Sequence, residues 1–164
     1  MNKPDDEDAI EFLTQSNYIE KEYSIVALES AFRAWRYALQ VDLWTIVRVK
    51  ETHYRLMKHL NPRIAGRLRH VGVRVWGRDC PSWTTVERLL ADWCTLPTVY
   101  GETIKLHGWR EIKQSHINFE HVHPFRDGNG RVGRIIMNAQ RVKAGLPILI
   151  IHEGKEEMDY YKWF

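Results

Sequence analysis

His123-Pro124-Phe125-Arg126-Asp127-Gly128-Asn129-Gly130-Arg131-Val132-Gly133-Arg134 puts a histidine, a carboxylate, a Gly-Asn-Gly run and two arginines into twelve residues. Gly128, Asn129 and Gly130 reach backbone angles that other residues avoid, so successive N–H groups can point into one concavity. From Val132 to Val142 apolar residues recur at helical spacing, which predicts a helix with this nest at its N-terminus. Amide dipoles there favour a bound anion. Arg131 and Arg134, three residues apart, add fixed positive charge on one face of that helix. Asp127 suits a phosphate neighbourhood only with a hard cation such as Mg²⁺ between them. His123 stands where it can take a proton from an attacking hydroxyl. The stretch reads as an interhelical loop that cradles phosphate and metal, with a base at its lip. Each part also has an ordinary reading: Gly-Asn-Gly turns join many helix pairs, and first-turn arginines are often solvated. Their order and compactness favour the functional one.

Outward from the loop the chain is helical. A helix over about Thr103 to Val122, with Leu106, Trp109, Ile112 and Phe119 facing inward, delivers His123 at its end. The helix after the loop stops at Gly145, with Pro147 beyond, and a last one starts near Glu153. Upstream, Val86, Leu89, Leu90, Trp93 and Cys94 mark a helix that ends at Leu96-Pro97, Leu28 to Leu39 another, and Leu43 to Leu60 a third that Asn61-Pro62 stops. The first, about Asp8 to Glu20, aligns Ala9, Phe12 and Leu13, and Ser16 and Glu20 extend the same stripe. Between Arg67 and Arg78 the period changes: Val71, Val73 and Val75 alternate with Gly72, Arg74 and Trp76, a short basic hairpin. The fold class is all-α, a helical bundle with one hairpin.

The bulk numbers agree with one globular unit of 164 residues, 44% hydrophobic and 27% charged. No apolar run approaches a membrane span and the start has no signal-peptide pattern. Cys80 and Cys94 lack any metal spacing, so the expected setting is reduced and cytoplasmic. Residues 1–24 hold seven acids against two lysines, −5, which leaves +8 on the other 140 residues of a chain whose net charge is +3. A basic body suits nucleotides, nucleic acid or an acidic protein, and an acidic leading segment can fold back onto it.

HPFRDGNGRVGR fills all eight specified positions of H-x-F-x-[D/E]-G-N-G-R-x-x-R, and so resembles the signature of the Fic (Fic/Doc) family. INFEHVHPFRDGNGRVGRIIMNAQRVKAGLPILII is similar to that family's two core helices and their loop, and NPRIAGRLRHVGVRVWG to the segment entering its hairpin, the flap. The resemblance spans roughly residues 10–164 and implies the Fic fold, with residues 1–24 as an N-terminal segment and 25–164 as the core. The activity it implies is transfer of AMP from ATP to a Ser, Thr or Tyr hydroxyl of a target protein, with release of pyrophosphate. On that footing His123 is the general base and Asp127 holds Mg²⁺ against the phosphates. Gly128, Asn129 and Gly130 form the anion hole, and Arg131 and Arg134 grip phosphate oxygens. Phe125 is a core anchor for the loop. Val73, Arg74, Val75 and Trp76 are the flap positions that clamp a target segment by strand-like pairing.

Inhibited members of that family carry [S/T]-x-x-x-E-[G/N], and Ser16 to Glu20 matches it, with Lys21 in place of Gly or Asn. The resemblance thus implies that Glu20 pairs with Arg134 and blocks productive seating of ATP. Most helical glutamates are solvated, but the stripe with Ala9, Phe12 and Leu13 faces Glu20 toward the protein. Three classes stay open: an adenylyltransferase, which is favoured; a relative using another nucleotide or removing AMP; and a non-catalytic nucleotide- or nucleic-acid-binding module. Gly130 speaks against the phosphate-transferring branch, where a lysine stands at that position. The flap reading makes nucleic acid an improbable partner, and leaves a homo-oligomer open. His53 and His70 show no readable role. His116, His121 and His123 lie close in sequence, but His116 and His123, seven apart, are expected to share a helix face two turns apart with His121 pointing elsewhere, which argues against a zinc site.

Overall fold

Seven α-helices and one antiparallel hairpin make up the residues that the computed structural model describes, 6–75, 77–96 and 108–164. In chain order they are α1 (Asp6–Ile19), α2 (Ile25–Ala38), α3 (Ile46–Met57), β1 (Arg74–Val75), β2 (Arg78–Asp79), α4 (Val86–Cys94), α5 (Trp109–Val122), α6 (Asn129–Lys143) and α7 (Lys155–Tyr161). The all-α bundle with one hairpin expected from the sequence is the fold observed. None of the helices among these residues is long and apolar enough to cross a membrane.

α6 is the axis. Every residue from Arg131 to Arg141 is buried, because α1, α2, α3 and α5 all pack on it. Val132, Ile135, Ile136 and Ala139 supply its share of the main core. Two of its buried polar residues bind the segment that follows: Asn138 donates to the Leu149 carbonyl at 3.0 Å and accepts from the Leu149 N–H at 2.8 Å. Arg141 Nε donates to the Pro147 carbonyl at 2.9 Å, so the two side chains lash the segment after α6 along its side. α5 approaches α6 most closely at Gly133. A Cβ there would stand 2.3 Å from Glu120 Oε1 and 2.9 Å from His116 Cε1. Gly133→Ala is therefore expected to cost about 1–3 kcal/mol by overpacking. An unchanged urea midpoint and slope for this variant would contradict that close approach.

Local signals set the helix ends. The Ser24 hydroxyl accepts from the Ala27 N–H and caps α2, and Thr45 caps α3 by accepting from Arg48 N–H at 3.3 Å. That cap starts α3 at Ile46 rather than near Leu43, and the chain leaves helix at Met57 rather than Leu60. The helix expected over Thr103 to Val122 begins at Trp109, and residues 103–107 lie outside those described. α1 buries Ala9, Phe12, Leu13 and Ser16 against α2 and α6, with Phe12 edge-on to Trp35. It ends through Lys21 at φ 57, where Glu22 N–H reaches back to the Asn17 carbonyl. A left-handed cap of this kind usually takes Gly or Asn. Here Lys21 fills it and its ammonium bonds Glu153.

The hairpin is shorter than the valine alternation suggests. Arg74 pairs with Asp79 and Val75 with Arg78, and one further bond runs from Cys80 N–H to the Val73 carbonyl. Trp76 lies outside the described residues. Arg74 Nε is 3.1 Å from Asp79 Oδ1, so the hairpin face is less basic than its arginines imply.

Candidate active site at the start of the central helix

The loop between α5 and α6 is built from two left-handed residues. His123, the C-cap of α5, has φ 46, and Gly128, the N-cap of α6, has φ 81. A non-glycine residue in that region carries a strain of about 1–2 kcal/mol, so outside contacts must hold it. The Gly-Asn-Gly run is not three unusual backbones, as its sequence suggests. Only Gly128 is, and Asn129 and Gly130 already belong to the first turn of α6. The anion seat is thus a helix N-terminus, whose first N–H groups have no intrahelical partner.

The side chains of the loop divide into supports and working groups. Asn129 is a support: its Oδ1 accepts from Phe125 N–H at 2.8 Å and its Nδ2 donates to the Phe125 carbonyl at 2.9 Å. Phe125 is fully buried, as expected of an anchor, and stacks flat on His53, 3.7 Å between centroids and 3° between planes. His53 was not identified from sequence, although its place on the apolar stripe of α3 was the available signal. Its Nδ1 accepts from Gly66 N–H at 2.9 Å, which fixes the proton on Nε2, and Nε2 donates to the Asp127 carbonyl at 3.0 Å. Burial holds its pKa down to about 4, so it stays a neutral strut.

His123 is held as a neutral imidazole by its surroundings. Nδ1 lies 3.3 Å from the Glu120 carbonyl and 3.9 Å from Glu120 Oε2, so it carries the proton and leaves Nε2 as the acceptor. Burial lowers its pKa below the usual histidine value, so the imidazole is neutral at neutral pH. His123 does not continue the α5 face of His116, as their seven-residue spacing suggests. The helix ends at Val122, while His116 is buried with Nε2 at 2.9 Å from the Tyr160 hydroxyl and His121 is exposed.

The two arginines separate. Arg131 turns toward α3, with Nη2 3.7 Å from Met57 Sδ and 3.7 Å from Asp127 Oδ1. Its Nε and Nη1 are buried and have no hydrogen-bond partner among the described residues. Buried donors of this kind fit an anion, since leaving them unpaired costs about 1–3 kcal/mol each. Arg134 turns toward α1 and is fully engaged there: Nε donates to Ser16 Oγ, Nη2 to the Ser16 carbonyl and to Glu20 Oε1, at 2.9, 2.9 and 2.8 Å. Glu20 and, beyond what the motif implies, Ser16 thus meet at Arg134. A Cβ on Gly130 would lie 2.4 Å from Glu20 Oε1, so the carboxylate sits directly over the first turn of α6. Burial raises the Glu20 pKa, but Arg134, then Arg131 and His123, outweigh it and hold the group ionised.

Asp127 is exposed, with Oδ1 accepting from Gly128 N–H at 2.6 Å. One solvent-facing carboxylate fits Mg²⁺, which is usually held by one or two carboxylates, waters and substrate phosphates rather than by a closed protein cage. Beyond the loop, a cleft of about 250 Å³ opens between Val75, Arg78 and Pro81 on the hairpin side and Glu120 and His121 on α5. Of the expected flap positions among the described residues, only Val75 lines it, and His123 lies outside its lining.

Residues 43–140 match the Fic/DOC family. Curated relatives include a protein adenylyltransferase Fic of Nematostella vectensis, 34% identical over 122 residues, 73% of this chain and 27% of that protein. Another, of the same description, is from Culex quinquefasciatus, 28% identical over 147 residues, 87% and 29% of the two chains. This chain therefore spans less than a third of the length of these relatives. Among solved structures, Fic-1 (residues 134–508) from C. elegans superposes with a TM-score of 0.76 at 22% identity, covering 94% of this chain and 53% of that one. A Fic family protein from Desulfovibrio desulfuricans G20 gives 0.74 at 23% identity, covering 96% and 54%. At these identities the two structures establish the fold.

Proposed function

Since the chain belongs to the Fic/DOC family, we propose that it transfers AMP from ATP to a hydroxyl side chain of a target protein and releases pyrophosphate. The observation that supports this best is the pair of buried, unpartnered donors on Arg131, set beside the N-terminus of α6 and a neutral histidine with a free Nε2. The donors and helix N-terminus bind phosphate oxygens. His123 takes the proton of the incoming hydroxyl, which then attacks the α-phosphorus and expels pyrophosphate. Positioning and charge neutralisation account for most of such a transfer, and a single base completes it. Asp127 is the residue to hold Mg²⁺, which supplies charge neutralisation at the phosphates when bound. The hydroxyl-bearing segment docks along the flap, at Val73 to Val75.

The same reading makes α1 an inhibitory element. Glu20 occupies the anion seat over Gly130 and engages Arg134, the second arginine that the phosphates of ATP need. Incubation with each α-labelled nucleoside triphosphate and Mg²⁺ tests the proposal, with the wild type, Glu20→Gly and His123→Ala compared. Label incorporated from ATP, raised in the first variant and lost in the second, supports it. Binding of every nucleotide without covalent label in any variant refutes it.

α1 is also fastened at its outer edge, and this gives the inhibition a pH dependence. His152 Nε2 lies 2.9 Å from Glu11 Oε1 on α1 and Nδ1 2.8 Å from Glu156 Oε2 on α7. Both bonds need an imidazolium, and Glu11 first and Glu156 second raise its pKa. A group with a raised folded-state pKa contributes fully below its unfolded value and is lost as pH climbs through the folded one. The wild-type rate divided by the Glu20→Gly rate is therefore expected to rise from pH about 6 upward, and to be flat in His152→Gln. A flat ratio in the wild type excludes the clasp.

A further inference from the structure

We propose that Arg69 is a positioning residue of the transfer reaction, locking the base His123 and both ends of the flap into one unit; the proposal rests on the transferase reading above. Its guanidinium is almost fully buried, and three nitrogens donate to carbonyls of three separate segments. Nε donates to His123 at 2.8 Å, Nη1 to Val71 at 3.0 Å where the chain enters the flap, and Nη2 to Pro81 at 2.6 Å where it leaves. The Arg69 N–H itself donates to the Pro124 carbonyl at 2.9 Å. No acid pairs with this side chain among the described residues. A buried cation without a carboxylate is costly, and an apolar side chain of similar volume would fill the space at less cost.

What the arginine adds is geometry. Among the described residues the hairpin is held by the Arg74–Asp79 and Val75–Arg78 pairs, by Arg74 on the Gly77 carbonyl and by one bond from Cys80 to Val73, and Arg78 reaches out to the Phe164 carbonyl; none of these bonds ties the flap to His123. His123 is in a left-handed conformation, and its carbonyl needs an external donor to stay there. One planar fork answers both needs, because its donors diverge at fixed angles that a lysine ammonium on a flexible stem does not reproduce. A segment paired with the flap is thereby held in a fixed relation to Nε2 of His123. The phosphate seat on α6 is separate from this clamp, so hydroxyl presentation and ATP binding respond differently to its loss.

The test uses the chain with Glu20→Gly as the parent, α-labelled ATP, and the protein itself as acceptor. Arg69→Met is expected to lower kcat by about 100-fold while KM for ATP stays within about twofold, since a misplacement of about 1 Å is enough for such a loss. Arg69→Lys should recover part of the rate. The acid limb of the rate profile should also move to higher pH in Arg69→Met. Burial first, and the Arg69 charge after it, lower the His123 pKa; the Glu120 carbonyl on α5, Glu20 on α1 and Asp127 in the loop raise it and remain in place, apart from the deleted Glu20. An unchanged kcat, or a kcat that falls only in proportion to the folded fraction, overturns the proposal. Amide hydrogen exchange decides it independently of activity. In Arg69→Met the Cys80 and His123 amides should exchange faster while those of α6 do not, and equal exchange at both overturns it. A parent that incorporates no label counts against the transferase reading instead, and the exchange data then stand alone for Arg69.

Discussion

Replacing Glu20 by glycine is expected to raise incorporation of labelled AMP by about 10- to 100-fold, the scale of a coupling free energy of about 1–3 kcal/mol. The carboxylate meets Arg134 at 2.8 Å and overlies Gly130, so on the proposed reading a single side chain holds both the anion seat and one of the two arginines that would serve it. Its removal frees Nη2 of Arg134 from the ion pair, while Nε stays on Ser16 Oγ and keeps the guanidinium in place. The helix tolerates the change, because Glu20 follows the last residue of α1 and the stripe Ala9, Phe12, Leu13 and Ser16 remains buried. Thermal melting by circular dichroism should accordingly stay cooperative. A normal melt with no gain in label would remove Glu20 from any inhibitory role.

The parts legible in the sequence were those whose signal is local. Apolar spacing on α2, α4 and α6 marked helices, Ser24 and Thr45 are ordinary caps, and the loop motif named its own residues. The stripe through Ala9, Phe12 and Leu13 aimed Glu20 at the body of the protein, and Arg134 is where it arrives. What was not legible depends on contacts distant in sequence. Arg69 is one arginine among several in a basic stretch, and its meaning lies in carbonyls 2, 12 and 54 residues away. His53 meets Asp127 across 74 residues. The roles within Gly128-Asn129-Gly130 were misread for a different reason. A glycine in sequence reports freedom and not which freedom is used: Gly128 uses its backbone angles, and Gly130 its lack of a side chain beneath Glu20. Asn129 uses neither and holds Phe125.

These supports explain why the chemistry can rest on few groups. Asn129, Phe125, His53 and Arg69 fix the loop through backbone atoms, so the side chains of His123 and Arg131 need to make almost no structural contacts of their own. Preorganised donors that are not consumed by the fold remain available to a substrate, the condition for electrostatic stabilisation without reorganisation.

His123→Ala is for that reason expected to abolish transfer, by a factor of 100 to 10,000 on the scale of general-base catalysis, while leaving ATP affinity within about twofold. The main-chain bonds at this position, from its N–H to the Phe119 carbonyl and from Arg69 to its carbonyl, do not involve the imidazole. Alanine retains both and remains in the left-handed region at a strain of about 1–2 kcal/mol, much as histidine does. Nδ1 gives up only its contact with the Glu120 carbonyl. Gly128, the first turn of α6 and the free donors of Arg131 are untouched, so the phosphate seat persists. The measurement pairs label incorporation with ATP affinity by titration calorimetry, both in the Glu20→Gly background where the seat is open. Loss of affinity together with transfer would show that the histidine supports the pocket and that the proton of the hydroxyl leaves by another route.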